Sequence, residues 1–67
     1  MNIILNNNPE SIEKDEISIA ELLLLKNFIF KMLVIKINDN LIRKPDYETT
    51  MVKEGDNVMI LHLVSGG

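Results

Sequence analysis

Two short alternating stretches, a helical stripe and two apolar runs set the plan of this chain. Residues 2–6 alternate around Ile3 and Leu5, with Ile4 turned to the opposite face, which is the period of a half-buried strand. Asn6-Asn7-Asn8-Pro9 interrupts the pattern, and a turn is expected at Asn7-Asn8 because asparagine enters the left-handed conformation at low cost. Residues 10–14 then offer a second strand centred on Ile12 with polar neighbours, so the chain opens as a hairpin.

Ser18-Ile19-Ala20-Glu21 is a capping box: the serine hydroxyl accepts from the third helical amide, and Glu21 reaches back to the serine amide. Behind it Ile19, Leu22 and Leu23 share one face at helical spacing. Leu24 and Leu25 make the helix apolar most of the way round, so spacing alone does not fix its buried arc. The helix ends near Asn27, and Phe28-Ile29-Phe30 follows as an unassigned connector.

Residues 33–37 (LVIKI) are β-branched and aliphatic, an interior strand. Asn38-Asp39-Asn40 makes a tight turn, and residues 41–43 return as a short strand. Pro45-Asp46 breaks the pattern, leaving residues 47–52 irregular or 3₁₀. Glu54-Gly55-Asp56-Asn57 is a turn holding the one interior glycine, and residues 57–64 form the last strand. On that strand Met59, Leu61 and Leu63 are wholly apolar and are assigned to the core, whereas Val58, Ile60, His62 and Val64 include a polar residue and are assigned outward. The element order implies a single α+β domain over residues 1–67, one main helix packed on a mixed four- to five-stranded sheet, with the last strand beside the first.

Composition narrows the function. Sixty-seven residues make a domain near the lower size at which one core suffices, and no cysteine is present to staple it or to bind metal as thiolate. Seven basic and 10 acidic residues give a net charge of −3, the lysines are scattered, and Phe28, Phe30 and Tyr47 are the only aromatics. Nucleic-acid binding needs a basic stripe and stacking rings, so it is not expected. The opening lacks the pattern of a signal peptide, and Lys26, Asn27, Lys31 and Lys36 interrupt the apolar middle far short of the ~20 residues of a membrane span. A cytoplasmic protein away from membranes is expected.

Candidate chemistry is sparse. His62 is the single histidine and has no serine or acid at a telling spacing, so a solvated strand position outweighs a catalytic one. Asp15-Glu16 and Glu54-Gly55-Asp56 lack calcium-loop spacing and read as turns, and no metal site is expected. The methionines read as initiator and core filler. What remains is Ser65-Gly66-Gly67, which holds two of the chain's three glycines and follows a buried strand. A tail without Cβ atoms threads a narrow channel and carries a carboxylate that is ionised at neutral pH. Such a carboxylate can attack the α-phosphate of ATP and become an acyl adenylate, with the catalytic groups supplied by the enzyme that binds the tail.

In these features the chain resembles the ThiS family of β-grasp, ubiquitin-like sulfur carriers of thiamine biosynthesis. The resemblance runs nearly end to end, through Asn2-Ile3-Ile4-Leu5-Asn6, Ser18-Ile19-Ala20-Glu21-Leu22-Leu23 and Ile35-Lys36-Ile37-Asn38-Asp39-Asn40-Leu41-Ile42-Arg43. It continues through Val52-Lys53-Glu54-Gly55-Asp56-Asn57-Val58 to Val64-Ser65-Gly66-Gly67. Asn38-Asp39 stands where the family commonly has Asn-Gly, Leu24 and Leu25 replace usually polar helix residues, and Tyr47 stands for a frequent tryptophan.

The resemblance implies that the chain is a protein substrate and not an enzyme. Gly67 is adenylated by a ThiF-type enzyme that uses ATP and magnesium, the carrier itself binding no cofactor. Sulfur from a cysteine desulfurase system then makes a thiocarboxylate, which thiazole synthase consumes. Gly66 gives clearance, and Ile60, His62, Val64 and Ser65 are the expected docking residues. The small subunit of molybdopterin synthase shares this chemistry with another acceptor but tends to be longer. A ubiquitin-like modifier and a plain interaction module with an incidental Gly-Gly end are the remaining alternatives.

Overall fold

The computed structural model describes residues 1–28 and 32–63. Its strands are β1 (Asn2–Leu5), β2 (Asn8–Ser11), β3 (Glu16–Ser18), β4 (Leu33–Ile37), β5 (Asn40–Ile42), β6 (Met51–Lys53) and β7 (Asn57–His62), with helix α1 (Ile19–Leu25) after β3 and a 3₁₀ turn at Lys44–Asp46. Five strands form one mixed sheet in the order β2-β1-β7-β4-β5. The last strand is its centre, parallel to β1 and antiparallel to β4. One face of this sheet is closed by α1, whose Ile19 and Leu22 join Ile3, Leu5, Ile35 and Val58 in the core.

Beneath the helix lies a second, two-stranded sheet of β3 and β6 that the hydrophobic pattern does not announce. Each strand has three residues, and the pair meets at Ile17 opposite Val52, both fully buried. One apolar position among so few residues has no period to read. Residues 47–52 are therefore not wholly irregular, since Met51 and Val52 pair with Ser18 and Ile17. The 3₁₀ turn falls earlier, at Lys44–Asp46, where Pro45 supplies its fixed φ at the first turn.

Both ends of α1 are capped. The Glu21 amide donates to Ser18 Oγ at 3.1 Å, and the amides of Ile19 and Ala20 donate to the carbonyls of Thr50 and Tyr47 at 3.0 and 2.8 Å. Thus the loop after the 3₁₀ turn supplies the acceptors that a helix start leaves open. Glu21 itself accepts from the Ser18 hydroxyl at 3.3 Å. At the other end Asn27 has φ 60°, its amide donates to Leu24, and the Phe28 amide donates to Leu23, a Schellman ending with asparagine in the place of glycine. The buried arc is Ile19 and Leu22, with Leu23 half-buried, while Leu24 and Leu25 face solvent. Of the connector, Ile29 and Phe30 lie outside the described residues.

Both hairpins turn on pairs of left-handed residues, Asn6-Asn7 (φ 50° and 67°) and Asn38-Asp39 (φ 49° and 70°), as two-residue loops of the twist-matched kind require. The first turn is thus one residue earlier than the Asn7-Asn8 expected, and β2 runs from Asn8 to Ser11, with Pro9 tolerated because β2 is an edge strand. Asp39 serves where the Asn-Gly form places glycine. A Cβ on Gly55 (φ 83°) would meet no atom within 4 Å, so conformation and not space calls for glycine there.

Side-chain amides then fasten the last strand. Asn6 Nδ2 donates to the Ile60 carbonyl at 3.1 Å and Oδ1 accepts from the Ile60 amide at 2.7 Å, continuing the β1–β7 ladder where the β1 backbone has turned away. At the start of β7, Asn38 Oδ1 accepts from the Asn57 amide at 2.9 Å and Asn38 Nδ2 donates to Asp56 Oδ1 at 3.0 Å. Replacing Asn6 by glycine keeps the positive φ but removes this clamp, whereas Asn7→Gly removes nothing comparable. Urea unfolding should show Asn6→Gly less stable than Asn7→Gly by about 1–3 kcal/mol. Equal midpoints would show that the clamp contributes nothing.

Candidate functional site at the end of the last strand

Strand β7 carries the chain from the middle of the sheet to its rim. Its pairing with β4 runs from Ile37↔Val58 to Leu33↔His62, and the Leu63 amide donates to the Met32 carbonyl at 3.0 Å. Leu63 is the last described residue held in the ladder. Val64, Ser65, Gly66 and Gly67, four of the expected site residues, lie outside the described residues.

The structure reverses the two faces assigned to β7. Val58 (0% exposed) and Ile60 (5%) point into the core, while Leu61 (47%) and Leu63 (46%) point outward and Met59 is half-buried. His62 shares the inward parity of Ile60, yet it is the last residue of the strand and is exposed. One polar residue at a strand terminus therefore misreports the whole face. The better sign is branching: the β-branched Val58 and Ile60 fill the interior, as Ile35 and Ile37 do on β4. Ile60 consequently offers no side chain for docking, and its backbone is held by Asn6.

What faces outward instead is a set of apolar side chains on adjacent strands. Leu61 lies opposite Val34, Met59 opposite Lys36, and Lys36 opposite Leu41. Ile4 (38% exposed) extends this surface onto β1. Exposed Lys36 sits among these apolar side chains. The set is legible in the strand's alternation once the faces are exchanged, because leucine and methionine hold one parity and valine and isoleucine the other.

Of the acidic pairs, Asp15-Glu16 leads into β3, which begins at Glu16, and Glu54 and Asp56 have ordinary structural roles. Asp56 accepts from the Lys53 amide at 2.9 Å as well as from Asn38, and Glu54 accepts from the Asn2 amide at 2.8 Å. Among the described residues no group of three or more histidine or acidic side chains is placed to hold a metal ion. No described helix is long and apolar enough to cross a membrane.

A model of the ThiS family matches residues 3–67. The crystal structure of a thiamine biosynthesis protein (ThiS) from Geobacter metallireducens superposes with a TM-score of 0.86 at 28% identity, covering 100% of both chains. The solution structure of a thiamine biosynthesis protein from the same organism gives a TM-score of 0.81 over 100% of this chain and 88% of that one; at 24% identity it shows likeness of fold. No curated protein sequence matches the chain. The shared architecture, a helix on a five-stranded mixed sheet, is the β-grasp.

The exchange of faces is directly measurable. Ile60→Ala should cost about 2–5 kcal/mol of unfolding free energy, the range for truncating a buried aliphatic chain. Leu61→Ala should cost under about 1 kcal/mol, since much of that side chain stays in water. The opposite ranking in denaturant titrations would put Leu61 in the core and Ile60 outside it.

Proposed function

We propose, since the chain belongs to the ThiS family over residues 3–67, that Gly67 is the reacting residue of a sulfur carrier serving thiamine biosynthesis. Proteins of this family are small sulfur carriers and not themselves enzymes. The observation that carries the reading is the family match extending through Gly66 and Gly67, joined to a strand whose last described ladder contact is at Leu63. Beyond that contact four residues span at most about 14 Å when extended. That reach takes a carboxylate well beyond the rim of the sheet, while Gly66 and Gly67 keep the approach narrow.

In this proposal the Gly67 carboxylate attacks the α-phosphorus of ATP on a ThiF-type enzyme with magnesium, and pyrophosphate leaves. A persulfide from a cysteine desulfurase system then displaces AMP through its terminal sulfur. A thiol cleaves the S–S bond of the resulting acyl disulfide, so that one carboxylate oxygen is replaced by sulfur and the thiol leaves as a disulfide with the sulfur donor. Thiazole synthase takes the sulfur from the resulting thiocarboxylate. The carrier contributes presentation: a rigid centre strand, a slim end, and an apolar face for docking. For that face Met59, Leu61 and Ile4, with the Lys36 ammonium among them, replace Ile60. His62, Val64 and Ser65 remain in the proposal as contacts along the exit of the tail.

The test is intact mass of the full chain after incubation with a ThiF-type enzyme, ATP, magnesium and a sulfur donor. A gain equal to one oxygen exchanged for sulfur, located at Gly67 and dependent on ATP, is expected. Deleting Gly67 should abolish it, and Leu61→Asp should weaken it without unfolding the protein. No gain from a folded protein with an intact tail would overturn the reading, and an isopeptide-linked ladder would replace it with a modifier.

A further inference from the structure

The sheet is incomplete at one corner. At the two ends of β4, Met32 and Asn38 make backbone hydrogen bonds to the β7 side, through Leu63 and Asn57 at 3.0 and 2.8 Å. Even-numbered residues of this strand therefore direct their amides and carbonyls to β7, and odd-numbered ones direct theirs to β5, by the alternation of antiparallel ladders. Ile37 and Ile35 meet Asn40 and Ile42 there. Leu33 is next in register and would face Lys44, but the chain has already left the sheet for the 3₁₀ turn at Lys44–Asp46. Among the described residues no backbone hydrogen bond reaches Leu33 from that side.

A groove of about 550 Å³ opens at this gap. It is apolar on both faces of the sheet: Leu33 and Ile42 line it from the core side, Val34 and Leu41 from the other. Leu23 and Phe28, brought together by the Schellman ending of α1, form its far wall. Arg43 and Lys44 stand on the same lining. Among the described residues the ion pairs are Lys14 with Glu21 and Lys26 with Glu10, so neither groove cation is neutralised by one.

These features suit one kind of occupant. An unpaired strand edge takes an extended backbone, apolar walls take alternate aliphatic side chains, and the two cations take a carboxylate beside them. The volume falls in the range of ordinary ligand pockets, ~300–1,000 Å³. We propose that this corner is a second recognition site, which captures a short extended segment of a partner protein, aliphatic in the middle and acidic at its end, as an added strand beside Leu33. It lies at the β4–β5 edge, shares Val34 and Leu41 with the outward face that carries Met59 and Leu61, and stands independently of the sulfur-carrier reading.

The test uses the ¹⁵N-labelled full chain titrated with a blocked pentapeptide, Glu-Val-Ile-Val-Glu, and with Lys-Val-Ile-Val-Lys in parallel. Saturable amide shifts at Leu33, Val34, Ile42 and Arg43, with slowed hydrogen exchange at Leu33, are expected from the acidic peptide. The lysine peptide should bind at least about tenfold more weakly, and the paired change Arg43→Glu with Lys44→Glu should reverse that preference. Both substitutions lie at exposed positions, so the folded spectrum should otherwise persist. Shifts that do not saturate, equal binding of both peptides, or shifts centred on Met59 and Ile4 would overturn the proposal. So would the same shifts produced by raising protein concentration alone, which indicates a second copy, or their appearance only after residues 64–67 are deleted, which indicates the chain's own end.

Discussion

The fold depends on how its last strand is inserted. β7 enters between β1 and β4 and takes hydrogen bonds from both, so no sheet exists across the middle until it is in place. Its parallel neighbour is only four residues long, and its ladder is lengthened by the Asn6 side chain, which copies a backbone unit for Ile60. At the start of the strand the Asn38 amide performs the same service for Asn57. Two side chains at two hairpin turns thus hold the central strand of the sheet.

The same residues explain why so few glycines suffice. Turns that need positive φ are built from Asn6, Asn7, Asn27, Asn38 and Asp39, and Gly55 is the only described glycine so used. Asparagine does more than glycine in these places because its amide also bonds, at Asn6 and Asn38 to the strand being held.

What is legible in the sequence follows from where the physical signal is local. The cap at Ser18, the interior strand around Ile35 and the second hairpin follow from nearby residues, the adjacency of first and last strands follows from the order of the elements, and all hold in the structure. The small sheet of β3 and β6 is not legible, since Ile17 and Val52 acquire meaning only by meeting from distant parts of the chain. The orientation of β7 is misread for another reason: polarity at His62 is a weaker guide than branching at Val58 and Ile60, because His62 stands exposed at the strand's end. At the candidate site, the outward face of β7 changes with that correction, whereas Ser65-Gly66-Gly67 is singled out by composition and needs no burial to be read.

Seating the exit strand at the centre has a mechanical meaning. A load applied to the chain beyond Leu63 runs along the axis of β7, nearly at right angles to the hydrogen bonds that join it to β4 and across the slanted ones that join it to β1. Those bonds resist together, in shear, and cannot be opened one at a time as they would be at a sheet edge. A pull on the chain beyond Leu63 is therefore shared along the whole ladder of β7.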